Sequence, residues 1–355
     1  MFGGRLSLRI VDLRSDTVTL PTREMLETIL EAELGDDGYR EDPTINKLQK
    51  IAAERMGKEA GLLVSSGTMG NLVALMSHVN RGELFIAEAD SHLAWCYRER
   101  GQREISGTIA RFLHGKKGVL DPVEVEKTIR SESKANRKPR LICMENTHNL
   151  AGGVAITPEQ TKALHEVAEE NGLAFHIDGA RIFNAAIALG VDVKKLTEHA
   201  DSVMFCVSKG LSAPVGSLVV GSEEFIERAR KIRDGLGGGM RQAGIIAAPG
   251  IIALTKMVER LKEDHENARV LAEGLAQIPG IKVDLSTVQT NIVIFNISGL
   301  KCPTETFLSL LEERGIKALP RKGPDVRMVT HRGIERDDIK YALEVISEVA
   351  EKLMS

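Results

Sequence analysis

The stretch Ser202-Val203-Met204-Phe205-Cys206-Val207-Ser208-Lys209-Gly210 decides the fold when it is read with Ala174-Phe175-His176-Ile177-Asp178-Gly179-Ala180-Arg181 ahead of it. Each is a short apolar run that ends in one ionisable residue, Asp178 in the earlier stretch and Lys209 in the later. Their separation of about thirty residues matches one strand-helix-strand crossover. The segment between, Phe183 to His199, is mostly apolar, with a helical recurrence at Ile187, Val191 and Leu196 and a break at Gly190. Asp178 and Lys209 are therefore expected at one edge of a parallel sheet, where the ligand sites of α/β folds lie.

A lysine in that position suits attack on a carbonyl. A carboxylate facing it suits a cofactor nitrogen that must stay protonated. Pyridoxal phosphate enzymes combine these two groups, a Schiff-base lysine and an acidic partner for the pyridinium nitrogen. The competing reading makes both residues ordinary surface charges where strands run out.

Composition narrows the class. A chain of 355 residues is long enough for a large core and for two domains, and 43% hydrophobic with 27% charged residues is the balance of a globular protein. A net charge of -3 gives no reason to expect nucleic acid or an anionic membrane as partner. No apolar run is long enough to span a membrane and MFGGRLSLRI lacks a signal-peptide core, so a cytoplasmic location is the expectation. Cys96, Cys143, Cys206 and Cys302 are scattered, which predicts neither a zinc cage nor a disulfide framework. His165-Glu166 opens like a zincin helix, but Glu169 stands where the second histidine ligand belongs, and no metal is expected. The phosphate-binding glycine motifs of dinucleotide enzymes and nucleoside triphosphatases and the G-x-S-x-G of serine hydrolases are all missing.

Residues 1–43, rich in Gly, Asp and Pro, read as an N-terminal arm. From Thr44 to Met56 the pattern is helical, followed by a strand at Ala60–Ser65 and a helix from Thr68 to about Val79. Further strands are expected at Leu84–Glu88, Leu141–Glu145, Ala174–Ile177, Ser202–Cys206 and Ser217–Val220, with helices such as Pro158–Asn171 between them. That alternation predicts a mostly parallel sheet with helices on both faces. Residues 44–250 form the expected large domain. A long helical region from about Gln242 to Gln277, with a break expected at Pro249-Gly250, leads into a smaller α/β domain over 251–355. Its strands are expected near Asn291–Phe295 and Val326–Thr330, and its helices near Thr304–Arg314 and Arg336–Lys352.

Five further places can complete a site. Ser65-Ser66-Gly67-Thr68-Met69-Gly70-Asn71 joins a strand to a helix, where backbone N–H groups and the Thr68 hydroxyl can cradle a phosphate; the same residues also cap ordinary helices. His92 follows the next apolar strand and can stack on a flat ring or exchange a proton, or be structural. Arg181, three residues after Asp178, and Arg327, inside Val326-Arg327-Met328-Val329, each suit a substrate carboxylate or an internal ion pair. Gly237-Gly238-Gly239-Met240-Arg241-Gln242 reads as a flexible turn opening a helix, from which Arg241 can reach an anion in its own or another subunit; a plain hinge is the rival.

Taken together these residues resemble a known family. Val11-Asp12-Leu13-Arg14-Ser15-Asp16-Thr17, Gly35-Asp36-Asp37, Glu41-Asp42-Pro43-Thr44, Ser66-Gly67-Thr68, Glu145-Asn146-Thr147-His148-Asn149, His176 to Asn184, Ser208-Lys209-Gly210-Leu211 and Gly237 to Gln242 occur in the order seen in low-specificity L-threonine aldolases. Those are fold type I pyridoxal phosphate enzymes with an aspartate-aminotransferase-like large domain and a smaller C-terminal α/β domain. The resemblance implies cleavage of L-threonine and L-allo-threonine to glycine and acetaldehyde. It implies Lys209 as the Schiff-base lysine, Asp178 at the pyridine nitrogen, His92 over the ring, and Gly67, Thr68 and Arg241 at the phosphate. Ser15, Arg181 and Arg327 are implied as substrate-carboxylate ligands, and Arg181 also touches the cofactor. A homo-oligomer, a dimer of dimers with Arg241 acting in trans, is implied as well.

Two departures stand against a full transfer. Some relatives carry a second histidine in a His-Phe-x-Arg run where this chain has Lys134-Ala135-Asn136-Arg137. Some carry a lysine where this chain has Asp234, with Arg233 beside it as a candidate replacement charge. His92 is then the leading candidate for the base that takes the β-hydroxyl proton. The alternatives are a β-eliminating lyase, an aldolase for another β-hydroxy-α-amino acid, and, from a different class, a non-catalytic cofactor-binding protein.

Overall fold

The computed structural model describes residues 9–354; residues 1–8, which open the expected arm and most of the stretch lacking a signal core, and residue 355 lie outside the described residues. The chain packs as two units. One runs from Leu20 to Arg260, and the other joins the residues up to Thr19 to those from Leu261 onward.

In chain order the strands are β1 (Val11–Asp12), β2 (Ala60–Val64), β3 (Leu84–Glu88), β4 (Ile109–Leu113), β5 (Pro139–Glu145), β6 (Ala174–Asp178), β7 (Ser202–Cys206) and β8 (Ser217–Gly221). They continue with β9 (Lys282–Val283), β10 (Ile292–Asn296), β11 (Ile316–Lys317), β12 (Leu319–Pro320) and β13 (Asp325–Val329).

The Leu20–Arg260 unit holds a seven-stranded sheet in the order β2-β8-β7-β6-β5-β3-β4. The strands from β7 across to β4 are parallel, and only β8 runs against its neighbours. The mostly parallel α/β architecture expected from the sequence is thus present. Strands β3, β7 and β8 are buried at every residue, as they must be when helices cover both faces. Because β2, β3, β5, β6 and β7 point the same way, the segments that follow their C-terminal ends leave one edge of the sheet. Those segments carry Gly67, His92, Asn149, Arg181 and Lys209.

Helices over this sheet start or stop on signals that the sequence carries, as three of them show. Ser66 accepts a hydrogen bond from the Met69 N–H and caps the helix Gly67–His78. Thr157 and Gln160 form a capping box for Pro158–Glu170, with Pro158 at the first turn. Gly190, at φ 66°, closes the helix Ile182–Leu189 at the expected break.

Three local expectations are corrected. β4 has no counterpart in the expected strands: it is a half-buried edge strand with Arg111 at its centre, paired to Glu132, so its hydrophobic pattern is weak. Pro249 lies inside the helix Gly244–Lys256 without breaking it, and the interruption falls at 257–260 instead. Burial of Ala247, Ala248, Pro249 and Gly250 holds that helix together across the missing N–H. The helix after Arg241 begins at Gly244, with Ala243 as its N-cap, so Arg241 lies in an irregular segment.

In the other unit, β1 pairs in parallel with β11, and β12-β13-β10-β9 form an antiparallel sheet. The residues read as an arm are shared out: Val11–Asp12 are a strand here, while the helix Arg23–Leu30 packs on Gly244–Lys256 in the first unit. Leu271, Phe295, Phe307, Val326 and Ile346 lie in the core of the second unit.

Candidate active site

Asp178 ends β6 and is buried. Its Oδ2 accepts a hydrogen bond from Asn71 Nδ2 at 2.6 Å and its Oδ1 one from the Ala180 N–H at 3.1 Å. Burial and the nearby Glu145 carboxylate push its pKa up, while the charges of His92 and Lys209 pull it down. Raising prevails because water is excluded. A carboxylate offers about four acceptor sites and these two bonds leave some of them open, so the buried group can accept from a further donor, a cationic one above all. A pyridinium N–H fits that need, and this chemistry, not sequence position, is the fit of the site to pyridoxal phosphate.

Lys209 lies three residues beyond β7, half-buried, in a turn closed by the Ser212 N–H on the Lys209 carbonyl at 2.9 Å. The register Asp178↔Met204 sets the ends of β6 and β7 side by side. His92 is the first residue of the helix His92–Glu99, whose N-cap Ser91 also donates to the Glu88 carbonyl at 2.7 Å. Glu145, at the end of β5, accepts from the His92 N–H with Oε2 and from the Asn149 N–H with Oε1, so one buried carboxylate ties two loops together. The Cys96 thiol lies one turn on from His92, 3.7 Å from each ring nitrogen, and burial pushes its pKa up to about 11. It is a packing group for the imidazole and not a thiolate.

Gly67 and Thr68 open the helix Gly67–His78, where unpaired N–H groups and the helix dipole favour an anion. A Cβ on Gly67 would stand 2.8 Å from Cys206 Sγ, so the backbone there can run close to β7 only as glycine. Gln102 Nε2 donates to the Thr68 carbonyl at 3.0 Å and steadies that turn. Arg241 does not join this group within one chain. Its side chain is 74% exposed and lies 3.6 Å from Asp36 Oδ1, which leaves it facing outward. Arg233, the candidate replacement for the missing lysine, is 1% exposed and committed to Asp37 at 2.9 Å, Asp234 at 2.9 Å and the Leu63 carbonyl at 3.2 Å. Its burial and these contacts tie it to groups of its own chain.

Arg181 stands just before the helix Ile182–Leu189 without a side-chain capping bond, is buried, and donates to Asn149 Oδ1 at 3.4 Å. Ser15 and Arg327 belong to the second unit. Ser15 accepts from the Thr17 N–H at the start of a short 3-10 turn, and Arg327 lies on β13 opposite Ile294 and Leu319. The Leu13 carbonyl accepts from the Val329 N–H, so the segments carrying Ser15 and Arg327 run beside each other.

Sequence reasoning gave no role to Asn71, Glu145 or His176, though all three stand in quoted motifs. His176 had a readable signal, since it lies two residues before Asp178 and on the same face of one strand. Among the described residues, Glu88, Asp90 and His114 bring ligand-type atoms within 4.8 Å of one another. Glu88 is already occupied by His148 Nε2 at 2.9 Å and by the Gly115 and Asp90 N–H groups.

The beta-eliminating lyase family model matches residues 12–298, which sets the class. Low-specificity L-threonine aldolase 1 of Arabidopsis thaliana is 43% identical over 346 residues, 96% of either chain. The low specificity L-threonine aldolase of Escherichia coli (strain K12) is 41% identical over 333 residues, 93% of this chain and 96% of that one. A threonine aldolase from Leishmania major shares the fold with a TM-score of 0.81 at 18% identity, over 96% of this chain and 99% of that chain. The chain belongs to the beta-eliminating lyase family and, within it, to the low-specificity L-threonine aldolases.

Proposed function

We propose that the protein is a pyridoxal-phosphate-dependent aldehyde-lyase that cleaves L-threonine and L-allo-threonine to glycine and acetaldehyde. The observation that carries this is the buried Asp178 carboxylate, held by Asn71 and the Ala180 N–H at the sheet edge that Lys209 and His92 share. Family membership supplies the reaction class. When bound, the cofactor supplies an electron sink for the pair released from the Cα–Cβ bond.

The chain's residues do the rest. Lys209 would hold the cofactor through its side-chain amine. Asp178 would keep the ring nitrogen protonated, and Gly67, Thr68 and a partner subunit's copy of Arg241 would hold the phosphate. Ser15, Arg181 and Arg327 fix the substrate carboxylate, which decides the bond at Cα that is aligned to break. His92 takes the β-hydroxyl proton as acetaldehyde leaves, and protonation of Cα gives glycine. The exposure of Arg241 and of Leu26, Leu30 and Leu34 supports a homo-oligomer, with a dimer of dimers and a cytoplasmic location as part of the same proposal. No helix of the described residues is long and apolar enough to cross a membrane.

The test is product identity from threonine. Acetaldehyde without ammonia supports aldol cleavage; ammonia with 2-oxobutanoate would make the protein a β-eliminating lyase. Visible absorbance that disappears with borohydride, and that a Lys209→Ala variant lacks, would tie the cofactor to that residue.

A further inference from the structure

A line of buried polar groups runs from Asp178 away from the sheet edge. Asn71 Nδ2 is 2.6 Å from Asp178 Oδ2, and Asn71 Oδ1 is 3.2 Å from His176 Nε2. His176 Nδ1 is 2.8 Å from Ser202 Oγ, which is itself 2.7 Å from His78 Nε2. Asn71, His176 and Ser202 are buried. Three regularities assemble the line. His176 and Asp178 share a face of β6 by the two-residue period, Ser202 stands opposite His176 in the β6/β7 register, and Asn71 and His78 lie two turns apart on one helix.

We propose that these residues are one directional hydrogen-bond chain that holds Asp178 as a carboxylate in one orientation, with His176 as a positioning residue that touches neither substrate nor cofactor. The proposal rests on the reading of Asp178 as the partner of the pyridine nitrogen. The direction follows link by link. A carboxylate only accepts, so the Asn71 amide group faces it and the Asn71 carbonyl faces His176. His176 must then carry its proton on Nε2, leaving Nδ1 to accept from the Ser202 hydroxyl. The Ser202 oxygen in turn accepts from His78 Nε2–H. Every donor points toward Asp178, and hydrogen bonds to the charged form favour that form against the burial that opposes it. Burial also keeps both imidazoles neutral, as the chain requires, with His176 pushed down to about 3 and His78 to about 4. A proton on Asp178 Oδ2 itself would turn the Asn71 carbonyl toward it, reverse each link and place the His176 proton on Nδ1, so the tautomer of His176 reports whether Oδ2 accepts from Asn71.

Proton–nitrogen NMR of histidine-labelled holoenzyme at mildly alkaline pH reads that tautomer directly. An Nε2–H signal for His176 and for His78 is expected; Nδ1–H at His176, or a cationic ring, overturns the chain. Titration of apoenzyme with pyridoxal phosphate gives a second readout. His176→Phe should weaken cofactor affinity by about tenfold, because Asn71 loses the hydrogen bond that orients its amide toward Asp178, while His176→Gln keeps a donor and an acceptor and should stay near the unmodified protein. Equal affinity for a folded His176→Phe would also overturn the proposal. If that variant does not fold, Ser202→Ala breaks the same chain one link further out, with a smaller loss expected. An unmodified protein that fails to bind the cofactor would instead sink the reading of the site itself.

Discussion

His92 and Asp178 show how one residue's chemistry depends on groups far from it in sequence. The imidazole of His92 is set by its backbone, which Glu145 grips, and by the Cys96 thiol one helical turn away. Asp178 is set by Asn71 and by its own turn. His92→Asn should retain the borohydride-sensitive absorbance and lose about a hundredfold in cleavage rate, the lower end of what a general base contributes. Unchanged turnover would remove His92 from that role. Asp178, Lys209 and His92 were readable because each follows an apolar strand, and strand ends are visible locally. Glu145 was not, because its partners, the His92 and Asn149 N–H groups, become neighbours only when β3 and β5 pair.

At the scale of elements, a buried ion pair holds a helix, a turn and a strand together. Arg233, on the helix Glu223–Gly235, joins the 3-10 turn Asp37–Tyr39 to β2 through Asp37 and the Leu63 carbonyl. Both charged side chains are 1% exposed. Removing Arg233 leaves the buried Asp37 carboxylate with only the looser Arg230 contact at 3.7 Å, so Arg233→Met should cost about 3 kcal/mol in urea unfolding, and the double variant with Asp37→Asn should recover part of it. A loss below about 1 kcal/mol would mean that water reaches Asp37. The strands β2, β3, β5, β6, β7 and β8 and most helices were legible from their period and their caps. Strand β4 escaped because an edge position tolerates Arg111, and Pro249 misled because burial, which no local pattern records, outweighed its missing N–H.

Two consequences belong to the whole molecule. The first concerns acid stability. Burial, reinforced by Arg228 and opposed by Asp201, pushes His78 from 6.5 to about 4. Between those values the unfolded chain takes up a proton that the native protein excludes, so this group costs stability as pH falls through that window and nothing above it. The cost is about 1.4 kcal/mol per pH unit. His78→Gln keeps a donor to Ser202 but not the titration, so its stability relative to the unmodified protein should rise on acidification across that window. A pH-independent difference would refute the assignment. The second concerns assembly. If Arg241 serves a neighbour, inactive Arg241→Ala and Lys209→Ala chains mixed in one oligomer should regain activity at sites where the intact copies meet; mixtures that stay inactive would place Arg241 outside the site.

The sequence by itself determined the α/β class, the edge of the sheet where chemistry gathers, and the family, because strand ends, caps and ordered motifs are local properties of the chain. Tertiary structure alone decided which groups surround them. It committed Arg233 to Asp37, turned Arg241 outward and lined up Asn71, His176, Ser202 and His78 behind Asp178. Those outcomes depend on strand register and on the helix face laid against it, and the contacts of Asn71 with Asp178 and His176 join residues more than a hundred positions apart in the chain.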